Sequence, residues 1–357
     1  MRFHTNHLIS NQQVSSFQAS QRQLTPGQVA KAYGLPSPNN LGTGAIAIVD
    51  AFNYPTALKD FNMFSSTYSL PTESSTRVTA LSNRTLQVVY ASGSTPESDA
   101  GWSQEMAIDI EWAHAMAPNA KIYLVEAASN NWSDLLAAVK VAKVLPGVRE
   151  VSTSFGSSEF SCVFASFDNV FSQNGVAFFA ASGDQGGGRM FPALSKNVVA
   201  VGGTTLNVDI AGNWLSESVW ADTGCGPSAF ELRPMFQDLF QEAVGKYRAG
   251  CDLAAIADPN TGVLVYDSYG TVGVSGWIVM GGTSVACPIV AGIANGSGVR
   301  FPNSQSFNQL IYTHPGSQFI HPVTSGSAGG FVAGGPWSFP AGLGTPNGLA
   351  NLIGGTP

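Results

Sequence analysis

Residues 279–292 read VMGGTSVACPIVAG, and the predicted fold and chemistry follow from this stretch. Its two adjacent glycines permit unusual backbone torsions and a close approach of other backbone, and Thr283-Ser284 then opens an apolar helix. A serine at a helix N-terminus lies among free backbone N–H groups, which favour developing negative charge. An ordinary capping serine has the same local sequence, so Ser284 is at this point a candidate nucleophile.

The sequence offers no obvious histidine to act as the base for this serine. The chain has five histidines, at His4, His7, His114, His314 and His321. The first two lie in a polar leader, and the last two lie in a C-terminal loop region. We interpret His114 as a structural histidine within a helix. Because a serine nucleophile needs a proton acceptor, we predict that another side chain fills this role.

Residues 102–111, WSQEMAIDIE, supply a pair of carboxyl groups. Glu105 and Asp109 are four residues apart, so a helix places them on one face, one turn from each other. Like charges at this spacing repel, so one proton is held more tightly than in a lone carboxyl group. We predict that Glu105 is a general base working in acid and that Asp109 holds it in position. A solvated acidic helix face is the alternative, and we assign Glu111 to such a face.

Together these segments resemble the sedolisin (serine-carboxyl peptidase) family, from about Leu24 to Gly348. The pattern GGTSxxxPxxAG is shared by subtilases and sedolisins, and sedolisins pair it with a Glu-x-x-x-Asp helix. The resemblance implies a subtilisin-like fold. It also implies that Ser284 is the nucleophile and that Glu105 and Asp109 are its two catalytic carboxyl groups.

The same resemblance points to acidic residues elsewhere in the chain. In the sequence SGD at 182–184, it implies that Asp184 helps to form the oxyanion hole. That role requires a protonated carboxyl group, because an ionised one repels the oxyanion. Asp50 matches a position where some sedolisins extend the acidic network, although a plain strand-end aspartate is equally compatible. Phe155 stands where some members have a tryptophan.

From Ala45 onward, strand and helix patterns alternate. The predicted strands are 45–49, 86–90, 121–125, 150–153, 176–181 and 198–201, and the predicted helices are 55–64, 102–116, 132–144 and 164–172. This alternation predicts an α/β fold, a subtilisin-like three-layer domain with a mostly parallel central sheet and helices on both faces. Residues 1–23 are predicted to be a flexible leader or prosegment remnant, and residues 24–357 one peptidase domain. Residues 207–269 are predicted to be a surface excursion with hairpins.

The resemblance also implies a calcium site near the C-terminus, held by two aspartates and backbone carbonyl groups. Pro322 and Ser338 stand at the expected aspartate positions. Calcium takes about 6 to 8 oxygen ligands, and tight binding needs carboxylate charge among them. We therefore predict that this site is lost or much weakened, that no cofactor is required, and that Trp337 and Phe339 hold the loop by packing.

The four cysteines leave the redox state of the chain open. Cys225 and Cys251 flank one insert-like stretch, so a disulfide between them is compatible with the sequence. Cys162 and Cys287 each lie within a predicted structural element. We predict that these two are buried thiols, which pack like small apolar side chains.

The charge content excludes several classes of partner. Charged residues make up 11% of the chain, the net charge is −7, and no Lys/Arg cluster occurs, which argues against nucleic acid and anionic membranes. No apolar run approaches the ~18 residues of a membrane span. We expect protein or peptide substrates and a monomer. A location outside the cell or in an acidic compartment is expected, although residues 1–10 lack the apolar core of a signal peptide.

These inferences combine into one functional prediction. We expect an acid endopeptidase or tripeptidyl-peptidase that uses Ser284, Glu105 and Asp109, with a protonated Asp184 in the oxyanion hole. The alternative is an inactive sedolisin-like protein with a binding or structural role. A conventional subtilase is disfavoured, because none of the histidines lies in the His-Gly-Thr setting that subtilisin-like enzymes use.

Overall fold

The fold is known from a computed structural model that describes residues 2–13, 23–35, 40–271 and 274–354. Its helices are α1 (Pro26–Ala32), α2 (Ala57–Thr67), α3 (Ala100–Met116), α4 (Trp132–Ala142), α5 (Val163–Phe167), α6 (Gln241–Val244), α7 (Thr283–Gly296), α8 (Ser304–Tyr312) and α9 (Leu349–Gly354). Short 3₁₀ helices span Asp168–Phe171, Met235–Phe240 and Pro259–Thr261. The helix predicted at 164–172 is therefore α5 followed by a 3₁₀ turn.

The strands are β1 (His4–Thr5), β2 (Leu8–Gln13), β3 (Ala45–Ala51), β4 (Leu86–Tyr90), β5 (Lys121–Ala127), β6 (Val148–Thr153), β7 (Phe155–Ser158), β8 (Ala177–Ala181), β9 (Met190–Phe191), β10 (Val199–Val208), β11 (Trp214–Val219), β12 (Gly226–Leu232), β13 (Tyr247–Gly250), β14 (Leu253–Ile256), β15 (Val263–Thr271), β16 (Val274–Gly281), β17 (Ile320–His321), β18 (Ser327–Ala328), β19 (Phe331–Val332) and β20 (Thr345–Pro346). Every strand predicted between residues 45 and 201 is present.

Eight strands form the central sheet, in the order β11-β10-β8-β6-β3-β5-β4, with β14 also paired to β10. All neighbours are parallel except β11, which is antiparallel to the second half of β10. Helices pack on both faces: α3 and α7 lie side by side, and α4 packs separately on β3 and β5. The predicted α/β class and the three-layer, mostly parallel architecture are confirmed.

Strand β14 corrects the description of 207–269 as a surface excursion. Its residues Leu253–Ile256 are fully buried, and they pair in parallel with β10 inside the central sheet. The rest of the segment does contain hairpin-like antiparallel pairs, such as β12 with β13. The segment predicted to lie on the surface thus contains one core strand. The four apolar residues of this strand show no periodicity that predicts a strand.

Helix α3 is buried on almost every side, because it lies between the sheet and helices α2 and α7. Asp99 caps its first turn by accepting a hydrogen bond from the backbone N–H of Trp102 at 2.9 Å. Gly292 of α7 permits the close helix contact, since an added Cβ there would lie 2.7 Å from Cβ of Met116. The expectation that Glu111 lies on a solvated face is wrong: its side chain is buried and accepts a hydrogen bond from the Tyr266 N–H at 3.0 Å.

The cysteines are all free thiols. Cys225 and Cys251 are buried and do not form the disulfide that the sequence left open. Cys287 is buried as predicted, whereas Cys162 is exposed and corrects the prediction for that residue. It stands at the N-cap of the short helix α5.

The C-terminal loop predicted to have lost calcium is held by aromatic and backbone contacts. The Trp337 ring lies 5.1 Å from that of Phe339, and its indole N–H donates to the Tyr312 hydroxyl at 3.1 Å. Ser338 exchanges two backbone hydrogen bonds with Gly342, and its buried hydroxyl has no hydrogen-bond partner among the residues that the structure describes. Proline at 322 and serine at 338 do not supply the carboxylates that calcium favours, so the donor set does not fit the metal. The loss of calcium binding stays a prediction.

Candidate active site

The candidate residues converge at one edge of the central sheet. Ser284 lies in the first turn of α7, Glu105 and Asp109 lie one turn apart on α3, and Asp184 follows the carboxyl end of β8. The carboxyl ends of parallel strands meet at one edge of a sheet, where α/β proteins build their sites. Asp50, near the end of β3, lies at the same edge. The structure therefore brings together all the residues that the sequence nominated.

Ser284 is hydrogen-bonded to a carboxylate. Its hydroxyl donates to Oε1 of Glu105 in a very short contact, and it also lies 3.3 Å from the carbonyl oxygen of Ser154. The Ser284 and Glu105 side chains are completely buried. A nucleophile bonded to a base in a water-poor setting is the arrangement that proton abstraction requires.

A cluster of buried carboxyl groups surrounds this pair. Burial, with the nearby charges of Asp50 and Glu105, raises the pKa of Asp109 well above its ordinary value. Burial, with Glu105 and Glu126, does the same to the pKa of Asp50, whose oxygens have no hydrogen-bond partner within the part of the chain that the structure describes. Burial raises the pKa of Glu126 to about 8. These groups are accordingly neutral in acid, when they add no negative charge beside Glu105.

Asp109 is fixed by a residue that the sequence analysis did not select. The Ser154 hydroxyl donates to Oδ1 of Asp109 at 2.8 Å, while Oδ2 is buried without a hydrogen-bond partner in the described structure. The backbone carbonyl of the same serine faces Ser284. Ser154 directly follows β6 and precedes Phe155. Its position at the end of a strand is the feature of the sequence that could have identified it as a site residue.

Asp184 lies beside the N-terminus of α7. Its Oδ1 accepts hydrogen bonds from the backbone N–H of Thr283 at 2.9 Å and from the Thr283 hydroxyl at 2.8 Å. Its Oδ2 is buried and has no hydrogen-bond partner among the described residues. Burial, opposed by the two Thr283 hydrogen bonds and reinforced by Glu105, raises the pKa of Asp184 to about 7. A protonated Oδ2 is thus available as a donor in acid.

The chain's own N-terminal segment passes directly across the site. The backbone N–H of Ser284 donates to the carbonyl oxygen of Asn6 at 2.9 Å. At Gly282, where φ is +101°, an added Cβ would lie 2.4 Å from this Asn6 oxygen and 2.5 Å from Oδ2 of Asp184. Glycine therefore leaves room for a carbonyl oxygen between the Ser284 amide and the Asp184 carboxyl group.

His7 comes next in this segment and contacts Glu105, which the sequence analysis did not foresee. Its Nδ1 is hydrogen-bonded to Oε2 of Glu105 in a very short contact. Burial alone would lower the pKa of His7, but the charge and hydrogen bond of Glu105 and the charge of Asp184 raise it overall. His114, in contrast, is buried away from Ser284 and bonded through Nε2 to the carbonyl oxygen of Pro71. Burial lowers the pKa of His114 to about 4.

The N-terminal residues were assigned to a flexible leader. Residues 2–13 of this leader include strands β1 (His4–Thr5) and β2 (Leu8–Gln13), and residues 14–22 lie outside the described residues. The division of the chain at Leu24 remains a prediction. Helix α1 starts soon after, and Thr25 and Gln28 exchange hydrogen bonds across its first turn. Among the described residues, no helix is long and apolar enough to cross a membrane.

Comparison with known proteins finds one matching family and individual proteins that resemble this chain. Residues 91–306 match the model of the subtilase family. The chain is 26% identical to sedolisin from Pseudomonas sp. (strain 101) over 90% of its length, and 33% identical to kumamolisin from Bacillus sp. (strain MN-32) over 70% of its length. It spans 59% of the length of that sedolisin and 50% of the length of that kumamolisin.

Solved structures resemble the fold. One is Pseudomonas sedolisin, a serine-carboxyl proteinase complexed with two molecules of pseudo-iodotyrostatin, with a TM-score of 0.79 and 24% identity over 95% of this chain and 100% of that chain. Another is fervidolysin from Fervidobacterium pennivorans, with a TM-score of 0.53 and 17% identity over 94% of this chain and 45% of that chain. At these identities the matches establish the architecture.

Proposed function

The chain belongs to the subtilase family, and from this premise we propose that it is a serine-carboxyl peptidase that hydrolyses peptide bonds of unfolded proteins in acid. The observation that carries the proposal is the hydrogen bond from the Ser284 hydroxyl to Glu105, in a site where the base is a carboxylate. The relatives sedolisin and kumamolisin support the same class of activity.

In the first step, Oγ of Ser284 attacks the carbonyl carbon of the peptide bond. Glu105 takes the hydroxyl proton through Oε1 and returns it to the leaving amine, so that an acyl-enzyme forms and the amine departs. A water molecule then attacks the ester. Glu105 accepts a proton from that water and passes it to Oγ of Ser284 as the ester bond breaks, which releases the acid product and restores free Ser284 and ionised Glu105.

The developing oxyanion has two donors in this proposal. One is the backbone N–H of Ser284 at the start of α7, which already donates to a carbonyl oxygen of the chain itself. The other is the protonated Oδ2 of Asp184, held in place because Thr283 fixes Oδ1. A raised pKa keeps Asp184 neutral in acid and gives it a proton to donate.

Asp109 acts as a positioning residue. Its raised pKa leaves it neutral in acid, and its Oδ2, which has no hydrogen-bond partner among the described residues, holds the proton that it can donate toward Glu105, one helical turn away. The Ser154 hydroxyl fixes the other Asp109 oxygen. This arrangement orients the base without adding a second negative charge next to it.

Further parts of the proposal concern conditions and partners. We propose that the protein acts as a monomer on protein or peptide substrates, outside the cell or in an acidic compartment. No calcium is required in this proposal. The negative net charge and the lack of a Lys/Arg cluster argue against nucleic acid or an anionic membrane as a partner.

The test is hydrolysis of an acid-denatured protein from about pH 2 to 8 by the parent, Ser284→Ala and Glu105→Gln. Glu242→Gln serves as the control for removal of one carboxylate, since Glu242 is exposed and distant in sequence from the site. We expect a rate maximum in acid that both site variants abolish and the control keeps. Full activity of Glu105→Gln, or a maximum near neutral pH, would refute the mechanism. A folded parent without activity would favour an inactive relative.

A further inference from the structure

The position of Asn6 shows where the residue before a scissile bond lies in this cleft. Its carbonyl oxygen accepts from the backbone N–H of Ser284 and lies close to Oδ2 of Asp184, the two donors proposed for the oxyanion. A substrate carbonyl group that uses these donors places its side chain where the Asn6 side chain now lies. This side chain is buried, and its Nδ2 donates to the carbonyl oxygen of Ser154 at 2.9 Å. We call the space that it fills the Asn6 subsite.

Met190 closes the Asn6 subsite. An added Cβ at Gly156 would lie 3.5 Å from Nδ2 of Asn6 and 2.7 Å from Cε of Met190, so these two side chains meet over the same glycine. An added Cβ at Gly183, just before Asp184, would lie 2.9 Å from Cγ of Met190. The methionine side chain is buried and packs against both glycines, one on β7 and the other after β8. The volume that a larger substrate side chain needs is thus already filled.

A cavity of about 650 Å³ lies beyond Met190. Its walls include Ser158, the strand partner of Met190, and Arg189, the residue before it. Phe230 and Phe331 line the same cavity. A cavity of this volume is large enough for a large apolar side chain. Met190 therefore lies between the Asn6 subsite and an aromatic-lined cavity that would otherwise extend the subsite.

We infer that Met190 restricts the residue before the scissile bond to small side chains, and that the carbonyl group of Ser154 favours those with a hydrogen-bond donor, such as asparagine. This inference rests on the proposed peptidase function and names the substrates of that same site. A phenyl ring in the subsite overlaps Met190, and a densely packed interior takes up such a volume only with strain. A leucine side chain is similar in shape to asparagine but donates no hydrogen bond to Ser154.

The experiment offers the full-length chain three peptides in one solution at about pH 4, where the proposed mechanism operates. The peptides differ only in the residue before the scissile bond, which is asparagine, leucine or phenylalanine, and mass spectrometry follows their products. Competition measures ratios of kcat/KM, which do not depend on the fraction of molecules whose cleft residues 3–7 occupy. We expect the asparagine peptide to exceed the leucine peptide about tenfold. It should exceed the phenylalanine peptide at least about 10²-fold.

Two substitutions of Met190 and one control complete the experiment. Met190→Ala joins the subsite to the cavity and should raise kcat/KM for the phenylalanine peptide at least about tenfold relative to the asparagine peptide. Met190→Leu keeps the side-chain volume and should keep the ratios of the parent. Met63→Ala removes a partly exposed methionine of α2 and should also leave every ratio unchanged. Cleavage of the asparagine peptide by Met190→Ala shows that this variant is folded.

The outcomes separate this inference from the function on which it rests. A parent that cleaves the phenylalanine peptide as fast as the asparagine peptide overturns the role of Met190, whether or not any variant folds. An active Met190→Ala with the ratios of the parent overturns it as well. Equal rates for the asparagine and leucine peptides contradict the role of the Ser154 carbonyl group. Hydrolysis of denatured protein without cleavage after asparagine contradicts the inference alone, whereas a folded parent that hydrolyses neither peptides nor denatured protein overturns the proposed function too.

Discussion

Replacement of Asp184 by asparagine tests the proposed oxyanion donor through the pH dependence of the rate. Burial raises the pKa of Asp184 to about 7, so the carboxyl group is a donor below that pH and a repelling anion above it. In Asp184→Asn, the amide oxygen keeps both hydrogen bonds from Thr283, and the amide N–H₂ takes the place of Oδ2 as a donor at every pH. The variant should therefore lack the alkaline loss that Asp184 causes in the parent.

The magnitude follows from the protonated fraction. Each pH unit above about 7 lowers the protonated fraction of Asp184 about tenfold, equivalent to about 1.4 kcal/mol of lost transition-state stabilisation. The ratio of kcat/KM for Asp184→Asn to that of the parent should be flat in acid and should rise about eightfold between pH 7.5 and 8.5. The ratio cancels the titration of the groups that both proteins share. It is measured with one fluorogenic peptide under first-order conditions.

Two further variants complete this test. Asp184→Ala removes the donor at all pH values and should lower kcat in acid by about 10² to 10³. Its pH profile should also lack the alkaline loss that Asp184 causes in the parent. The Thr283 hydroxyl donates to Oδ1 of Asp184 at 2.8 Å, and this hydrogen bond lowers the pKa of Asp184. Thr283→Val removes the hydroxyl and should raise that pKa, so the alkaline limb of the pH profile should move to higher pH. A parent-to-asparagine ratio that is independent of pH would refute the assignment of Asp184 as a protonated donor.

Three other predictions concern stability, positioning and metal dependence. Burial raises the pKa of Glu150 to about 8, so the contribution of this group to folding stability is complete below its unfolded pKa of ~4.3 and falls as pH rises toward 8. The free energy of unfolding of Glu150→Gln, relative to that of the parent, should therefore rise by about 3 kcal/mol between pH 4 and pH 7. Urea unfolding of both proteins at the two pH values measures this difference. Ser154→Ala removes the 2.8 Å hydrogen bond to Asp109 and should lower kcat about tenfold at nearly constant KM. An unchanged kcat would show that Asp109 is held in place without this hydrogen bond. Calcium at millimolar concentration should leave Tm unchanged, because Pro322 and Ser338 supply no carboxylate, and a saturable rise in Tm would contradict the prediction that the site is lost.

The fold could be predicted to a large extent because its core elements carry strong local patterns. The strand at Ala45–Ala51 is a continuous apolar run, and the GGTS sequence before α7 is distinctive enough to identify the resemblance to sedolisins, which the comparisons confirm. Strand β14 was missed because its four apolar residues look like any short buried run. Glu111 was misplaced because a carboxyl group on a helix is usually solvated, whereas α3 is enclosed on all sides.

The site was harder to predict where it depends on contacts between distant parts of the chain. Glu105 and Ser284 are 179 residues apart, and their pairing could be inferred only because the family pattern links their motifs. No such pattern covers the N-terminal segment. The contact of His7 with Glu105 spans 98 residues and depends on how β1 and β2 add to existing strand edges. Such pairing follows from main-chain hydrogen bonds, which leave little trace in the identity of the side chains.

The burial of the acidic groups explains both how the proposed site works and why its activity is expected at acidic pH. One carboxylate must accept the Ser284 proton, and its neighbours must stay neutral or they would repel the charge that forms in the transition state. Burial achieves this by raising the pKa values of Asp50, Asp109 and Asp184. Each of these groups also binds a proton more tightly in the folded chain than in the unfolded one, so folding stability falls as pH rises past their unfolded values. A site built in this way therefore loses its oxyanion donor and its folding stability over the same rise in pH, and both losses should be present in a single enzyme titrated from pH 4 to pH 8.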